Sequence, residues 1–196
     1  MMKYLNIKQN YTGLTERAVS FLTANQLSDR EMWRRFVDQF RRPIDGVNNG
    51  WRGEYWGKMM RGAVLVYEYS RDAELLDILT ETVRDMLSVI DEDGRISSFT
   101  KETEFRAWDL WCRKYVILGM EYFLEICPDE ALKNEIISFI SLAADYIIAH
   151  IGKEEGKIHI NKATKHWLGL NSSSILEPMV RLYNLTGEKK YFDFCA

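Results

Sequence analysis

Apolar residues recur at helical spacing along most of the chain. The longest such segment, residues 108–125, carries Asp109, Arg113 and Lys114 in its first two turns and is apolar on nearly every face after them. This pattern predicts a core helix that is buried on most sides. Further helices are predicted at residues 15–25, 29–40, 60–67, 75–90, 129–150 and 175–183, and from about residue 188 onward, with Ser28 as the N-cap of the second. The pattern therefore predicts an all-α protein.

A repeat underlies this order of helices. Leu75, Leu132 and Tyr191 each follow a tight turn with an acidic residue, and they are about 57 and 59 residues apart. A period of that length made of two helices predicts αα-hairpins. Long connections, at about 42–52, 91–107 and 151–171, join one hairpin to the next, and the second of them has a short extended piece at 95–99. We expect an αα-hairpin array, an incomplete (α/α)6 toroid, with the first helix of each hairpin lining the inside.

Tryptophans and charged residues cluster where the long connections meet the inner helices. Long loops on a rigid scaffold commonly carry binding sites. The first cluster contains Trp51, Arg52, Glu54, Trp56 and Lys58; the second contains Arg106, Trp108, Asp109, Trp111 and Arg113; the third contains His166, Trp167, Asn171, Ser172 and Ser173. Indole faces suit the C–H face of a sugar, and charged groups suit its hydroxyls. The clusters predict a carbohydrate cleft.

The same clusters have a purely structural interpretation, in which the tryptophans fill gaps between hairpins and the charges are solvated. For His166 this interpretation is the stronger one. The binding hypothesis makes a sharper prediction: Trp56, Asp109, Arg113 and His166 lie on one face and reach one small sugar. Asp109 and Arg113, four residues apart, can also pair along the helix, which contributes only a few tenths of a kcal/mol if the pair is exposed.

Charge, apolar runs and cysteine spacing exclude several classes of function. A net charge of −3 gives no reason to expect nucleic acid as a partner. The sequence has no apolar run long enough for a signal peptide or a membrane span, which favours a cytoplasmic protein without membrane contact. Cys112, Cys127 and Cys195 lack paired spacing, and the sequence contains no local metal-binding motif. We therefore expect neither a disulfide framework nor a metal site.

Four segments of this sequence resemble the β-L-arabinofuranosidase-like glycoside hydrolases of family 127 and their relatives. They are Arg-Gly-Glu-Tyr-Trp-Gly-Lys at 52–58, Asp-Glu-Asp-Gly-Arg-Ile at 91–96, Trp-Asp-Leu-Trp-Cys-Arg-Lys-Tyr at 108–115 and Ser-Ser-Ser-Ile-Leu-Glu-Pro at 172–178. The second is a weak signal, and the last two are fairly specific. The resemblance implies an (α/α)6 barrel that hydrolyses small glycosides. It makes 1–196 a single domain, the N-terminal portion of the barrel, with leading helices at 1–43 and the family-like part at 44–196.

The sequence departs from the family pattern at two points. Characterised members read His-Glu-Leu-Tyr-Cys where this chain has Trp108 to Cys112, which implies a divergent branch. The family's zinc-bound cysteine nucleophile, its zinc ligands and its acid/base glutamate lie in the second half of the barrel. We therefore expect a fragment without the main catalytic residues and without a cofactor of its own, although a full-length relative would hold zinc.

The clusters and the family resemblance together give the predicted site residues and the alternative functions. The predicted substrate-binding residues are Arg52, Trp56, Trp108, Asp109, Arg113 and His166, and Glu54 and Asp109 are weak candidates for catalysis. Two other enzymes on the same scaffold stay open, an unsaturated-glucuronyl hydrolase that uses Asp109 as its acid and a sugar epimerase that uses His166. A non-enzymatic helical-repeat binding module is the third alternative. We also expect self-association through a C-terminal face at Tyr191, Phe192 and Phe194 that is incompletely covered.

Overall fold

The computed structural model describes residues 11–43, 50–164 and 167–196. Its α-helices are α1 (Leu14–Leu22), α2 (Arg30–Arg41), α3 (Glu54–Ser70), α4 (Ala73–Leu87), α5 (Asp109–Leu124), α6 (Glu130–His150), α7 (Leu170–Ser173), α8 (Leu176–Thr186) and α9 (Lys189–Cys195). A π-helical turn at Thr23–Leu27 continues α1, and 3-10 turns lie at Gly50–Gly53, Ile160–Lys162 and Trp167–Gly169. The described ranges contain no strand, but Phe99, at the end of the predicted extended piece, is a bridge residue, and a second isolated bridge joins Ile151 and Ile158. The all-α prediction is confirmed. Of the helices in these ranges, none combines the length and the hydropathy needed to cross a bilayer.

Acidic residues begin the outer helices, as the repeat predicts. Asp72 and Asp129 each accept hydrogen bonds from two backbone N–H groups in the first turn of the helix that follows. The predicted cap of α2 is wrong, because Asp29 and not Ser28 accepts the first-turn N–H. Ser28 still has helical backbone angles and its hydroxyl donates to the carbonyl of Thr23, whereas Asp29 has the extended backbone that an N-cap requires.

Helices α3, α5 and α8 lie side by side and run in the same direction. Along α3 and α5, Glu54 meets Trp111 and, farther on, Gly57 meets Gly119. The two backbones approach so closely that a Cβ on Gly57 would lie 1.8 Å from the carbonyl oxygen of Tyr115. Every α5 residue except Trp111 is buried. The predicted core helix therefore lies at the centre of the protein, between its two parallel neighbours.

The second helix of each hairpin packs outside the first. Arg84 of α4 pairs with the α6 cap Asp129 at 3.2 Å, and Lys190 of α9 pairs with Asp145 of α6 at 2.7 Å. The pairs α3/α4, α5/α6 and α8/α9 are thus three successive αα-hairpins, which confirms the predicted array. The leading helix α2 packs against α4, where its Arg41 pairs with Asp85.

The predicted C-terminal face is covered in part. Tyr191 is 1% exposed because it lies in the main core cluster, so its predicted exposure is wrong. Phe192 is 49% exposed and its ring lies 5.4 Å from that of Tyr183. Phe194 is partly buried against the same core.

Candidate functional site

A buried network of charged side chains closes the N-terminal end of α5. Asp109, in the first turn, is 0% exposed. One carboxylate oxygen accepts a hydrogen bond from the hydroxyl of Ser97. The other accepts from the backbone N–H of Phe105 at 2.8 Å and from Nε of Arg113 at 3.0 Å. Asp109 therefore ties the connection at 88–108 to the helix that follows it.

Glu104, on the same connection, joins the two arginines of the network. Its Oε2 accepts from Nη2 of Arg113 and from Nε of Arg95, each at 2.7 Å, and its Oε1 accepts from the hydroxyl of Tyr146 at 2.8 Å. Burial alone would raise the pKa of Glu104, but Arg113, the Tyr146 hydroxyl and Arg95 outweigh burial and the net shift of the pKa is downward. Two carboxylates, those of Glu104 and Asp109, thus balance the two guanidinium groups.

Arg113 is as enclosed as Asp109. It is 0% exposed, and its guanidinium carbon lies 4.5 Å from the ring centre of Phe105 and 5.2 Å from that of Tyr146. The predicted Asp109–Arg113 pair does form, but it is buried rather than exposed. Because burial excludes a ligand from both side chains, their contacts indicate a structural role at the mouth of the helix.

Polar and aromatic groups also lie along the three parallel helices, and we name their shared surface the inner face. Lys58, Arg61 and Glu177 are exposed, Glu54, Trp111 and Arg181 are partly exposed, and Lys114, Tyr115 and Tyr122 are buried. Helix α3 contributes Glu54, Lys58 and Arg61. Helix α5 contributes Trp111, Lys114, Tyr115 and Tyr122. Helix α8 contributes Glu177 and Arg181.

The end of the inner face nearest the long connections is built around Trp111. Its indole N–H donates to one oxygen of Glu54, while the other oxygen of Glu54 lies 2.9 Å from Nζ of Lys58. Nζ of Lys58 also lies 5.5 Å from the Trp111 ring centre and 4.9 Å from that of Tyr115. The side chain of Glu54 is 14% exposed and that of Lys58 is 39% exposed. Solvent therefore reaches this group, in contrast to the buried network.

A second ammonium group approaches the same two rings from α5 itself. Nζ of Lys114 lies 5.3 Å from the Trp111 ring centre, 4.1 Å from that of Tyr115 and 3.4 Å from Glu177 on α8. Two lysines thus lie near these two rings, Lys58 paired with Glu54 of its own helix α3 and Lys114 paired with Glu177 of α8. This arrangement offers an aromatic surface with directional donors and acceptors around it, which suits a sugar ring and its hydroxyls.

The structure separates the residues that the sequence assigned to one cleft. Trp56 is 0% exposed and its indole N–H donates to the hydroxyl of Thr82 on α4 at 3.0 Å, so it is a core side chain and cannot contact a ligand. Trp108 is partly buried at the start of α5, with its ring centre 5.8 Å from that of Trp111. Arg52 is exposed in the 3-10 turn before α3.

The part of the prediction that concerns His166 falls on a residue outside the described ranges. In the same region Asn171 and Ser172 are buried. Asn171 donates to the carbonyl of Ala107 at 3.2 Å, and the hydroxyl of Ser172 donates to the carbonyl of Ile160 at 2.6 Å. These two side chains therefore hold the second and third long connections in place.

Sequence reasoning missed most of the inner face, including Tyr122, Glu177 and Arg181. A signal was present, because residues 111, 115 and 122 share one side of a helix and residues 177 and 181 share another. The pattern of a single helix does not reveal which neighbour that side will meet.

The described residues do not provide a zinc site. No group of three or more His, Cys, Asp or Glu side chains within them could hold a metal ion. The thiols of Cys112, Cys127 and Cys195 each contact backbone carbonyls, and burial raises the pKa of each thiol.

Two solved structures share this arrangement of helices. The GH127 β-L-arabinofuranosidase Ara127N-Se from Geobacillus stearothermophilus T6 superposes with a TM-score of 0.72 at 15% identity, over 95% of this chain and 31% of that one. The GH127 β-arabinofuranosidase BT3674 superposes with a TM-score of 0.59 at 15% identity, over 90% of this chain and 28% of that one. The chain thus spans about a third of the length of these relatives. A search of curated proteins found no match.

The amino-acid sequence identifies the family more directly than these superpositions do. The model of the β-L-arabinofuranosidase GH127 catalytic domain matches residues 8–196, which is nearly the whole chain. The sequence resemblance at 52–58, 108–115 and 172–178 lies inside that match. The chain belongs to the GH127 β-L-arabinofuranosidase catalytic-domain family.

Proposed function

We propose that this chain forms part of the sugar-binding wall of a glycoside hydrolase that acts on small β-L-arabinofuranosides. The observation that carries the proposal is the family match over residues 8–196. The inner face supports it, because the partly exposed Trp111 ring lies beside Glu54 and Lys58, which can bond to hydroxyls. In this proposal Trp111 stacks on the sugar and Glu54 accepts from one of its hydroxyls.

Asp109 has no direct chemical role in this proposal. An acid that protonates the alkene of an unsaturated uronide must reach its substrate, and Asp109 is 0% exposed with three hydrogen-bond donors on it. The geometry therefore disfavours the unsaturated-glucuronyl hydrolase alternative in the form that uses Asp109. Asp109 and Arg113 act instead as positioning residues for the connection beside Trp111.

Binding, rather than turnover, is the direct test for this chain. Titration with methyl β-L-arabinofuranoside, followed by calorimetry, should give saturable binding to the wild-type chain. Trp111→Phe should weaken it about five- to tenfold, because the smaller ring loses contact area and leaves Glu54 without its indole partner. Tyr183→Phe is the control, since it changes an aromatic residue that packs against Phe192 of α9 outside the inner face, and it should keep the affinity within about twofold. Equal affinity of Trp111→Phe and the wild type would refute this placement of the sugar.

A cytoplasmic location belongs to the same proposal. Cys112, Cys127 and Cys195 are all free thiols, and an odd number of free thiols is usual in a reducing compartment. Cell fractionation of the natural source should recover the protein with cytoplasmic markers, and recovery with secreted proteins would contradict the proposal.

A further inference from the structure

The charges on the inner face do not balance, and the excess is positive. Its cations come from all three helices, and its carboxylates come from two. The cations are Lys58, Arg61, Lys114 and Arg181, and the carboxylates are Glu54 and Glu177. The chain as a whole has a net charge of −3, so this excess is local to the inner face. Local charge of one sign attracts ligands of the opposite sign.

The excess of positive charge is greatest around Tyr122, which lies nearer the C-terminal end of α5 than Trp111 does. The guanidinium carbon of Arg61 lies 5.3 Å from the Tyr122 ring centre, and that of Arg181 lies 4.9 Å from it. Arg181 also lies 3.8 Å from Glu177, which Lys114 shares. Within the described part of the chain Arg61 is exposed and pairs with no carboxylate. The two guanidinium groups thus lie against the same ring, one from α3 and one from α8, and each can donate hydrogen bonds to an oxyanion.

The buried carboxyl group next to Tyr122 does not neutralise them. Glu121 is next to Tyr122, is 6% exposed, and neither of its oxygens has a hydrogen-bond partner. Burial raises the pKa of Glu121 well above its ordinary value, with Arg181 opposing the shift and Glu177 adding to it. Burial therefore favours the uncharged form of Glu121, and the cations keep their excess.

The aromatic end and the cationic end of the inner face are too far apart for one sugar ring. Tyr122 is seven residues beyond Tyr115, which corresponds to about 10 Å along a helix. We propose that the inner face binds an oligosaccharide with an anionic group, a carboxylate or a sulfate, which Arg61 and Arg181 take beside Tyr122 while a neutral sugar stacks on Trp111. This inference rests on the proposed function and adds the class of substrate to it.

The test compares two disaccharides that differ in one group. L-arabinofuranosyl-galacturonic acid and L-arabinofuranosyl-galactose differ only in a carboxylate in place of a hydroxymethyl group. In calorimetric titrations the wild-type chain should bind the acidic disaccharide at least about tenfold more tightly, and salt should reduce that preference. A disaccharide with 6-sulfated galactose in place of galacturonic acid shows whether the site recognises a carboxylate in particular or an anion in general. Inorganic sulfate alone should compete only weakly, and full competition by it would overturn the proposal.

Arg61→Gln is the diagnostic variant, because Arg61 is exposed and its removal does not open the core. It should reduce the ratio of the two affinities to below about twofold. Arg35→Gln is the matched control, since Arg35 is an arginine on α2 whose side chain is 73% exposed, and it should keep the full preference. Circular dichroism and thermal melting confirm that both variants fold.

The outcomes separate this inference from the function it rests on. If the wild-type chain binds both disaccharides equally, or if Arg61→Gln retains the preference, the anionic substrate class is wrong and the sugar-binding wall stands. If the wild-type chain binds neither disaccharide, the proposed function fails together with this inference.

Discussion

Replacing Asp109 by asparagine tests whether the buried network is structural. The change keeps the shape of the side chain and removes one negative charge from a site that is 0% exposed. An amide oxygen in place of Oδ2 can still accept from Phe105 and Arg113, which are donors only. The amide NH2 then points at the Ser97 hydroxyl, which at present donates to Asp109.

The magnitude follows from the charge balance of the network. In the wild type Asp109 and Glu104 face Arg95 and Arg113, and the variant leaves the two guanidinium groups with one buried carboxylate, Glu104, and the half-exposed Asp91 on Arg95. Removing one partner of a buried pair typically costs 3–5 kcal/mol. Glu104 still pairs with Arg113, so we expect the lower end, a loss of about 3 kcal/mol in the free energy of unfolding.

Urea unfolding followed by circular dichroism measures this loss directly. Asp91→Asn is the matched control, because Asp91 pairs with Arg95 at 3.6 Å but is 48% exposed, and it should lose at most about 1 kcal/mol. If Asp109→Asn loses no more than Asp91→Asn, the network does not stabilise the fold as argued. If Asp109→Asn is as stable as the wild type but no longer binds arabinofuranoside, Asp109 is a ligand contact, as the sequence suggested.

Three further predictions concern stability. Burial raises the pKa of Glu121, so the free energy of unfolding of the wild type should fall as pH rises from the ordinary glutamate pKa to the raised one. The fall should be up to about 1.4 kcal/mol per pH unit. Thermal melts of Glu121→Gln should lack this decline, and an identical decline would contradict the assignment. The net shift of the Glu104 pKa is downward, so ionised Glu104 stabilises the fold above the ordinary glutamate pKa and this contribution is lost as pH falls through the lowered pKa. In an acid titration Glu104→Gln should therefore lose stability less steeply than the wild type. Gly57→Ala should destabilise by several kcal/mol or prevent folding, because its Cβ would lie 1.8 Å from the Tyr115 carbonyl oxygen. Gly62→Ala, in the same helix with nothing within 4 Å of the added Cβ, should instead stabilise by about 0.5–1 kcal/mol, and similar melting temperatures for the two glycine variants would refute the close approach of α3 and α5.

Local pattern was enough to determine the helices and their repeat. The apolar run at 108–125 can only be a core helix, because it offers no polar side to water. Asp72 and Asp129 begin their helices because a carboxylate at the N-cap accepts first-turn N–H groups, whereas Glu188, the acidic residue of the third repeat, makes no such bond. The spacing of Leu75, Leu132 and Tyr191 then implies the hairpins, since equal elements joined by equal turns stack in the same way.

The tertiary structure alone decided which polar residues are accessible. Asp109 and Arg113 look like an exposed pair at a helix end, but the connection at 88–108 folds over them, and its contacts depend on Glu104 and on Tyr146 of α6, the second helix of the same hairpin. Trp56 lies only two residues after Glu54, so the two side chains leave α3 on different sides. The indole N–H of Trp56 therefore donates to Thr82 in the core.

The tertiary structure also creates the inner face. Lys114 meets Glu177, and Tyr122 meets Arg181, only because α5 and α8 pack in parallel. Helical spacing shows which residues share one side of a helix, but the partner of that side lies about sixty residues away in the chain. The periodicity of one helix carries no information about that partner, so the pairing that creates the candidate site is a property of the packed structure.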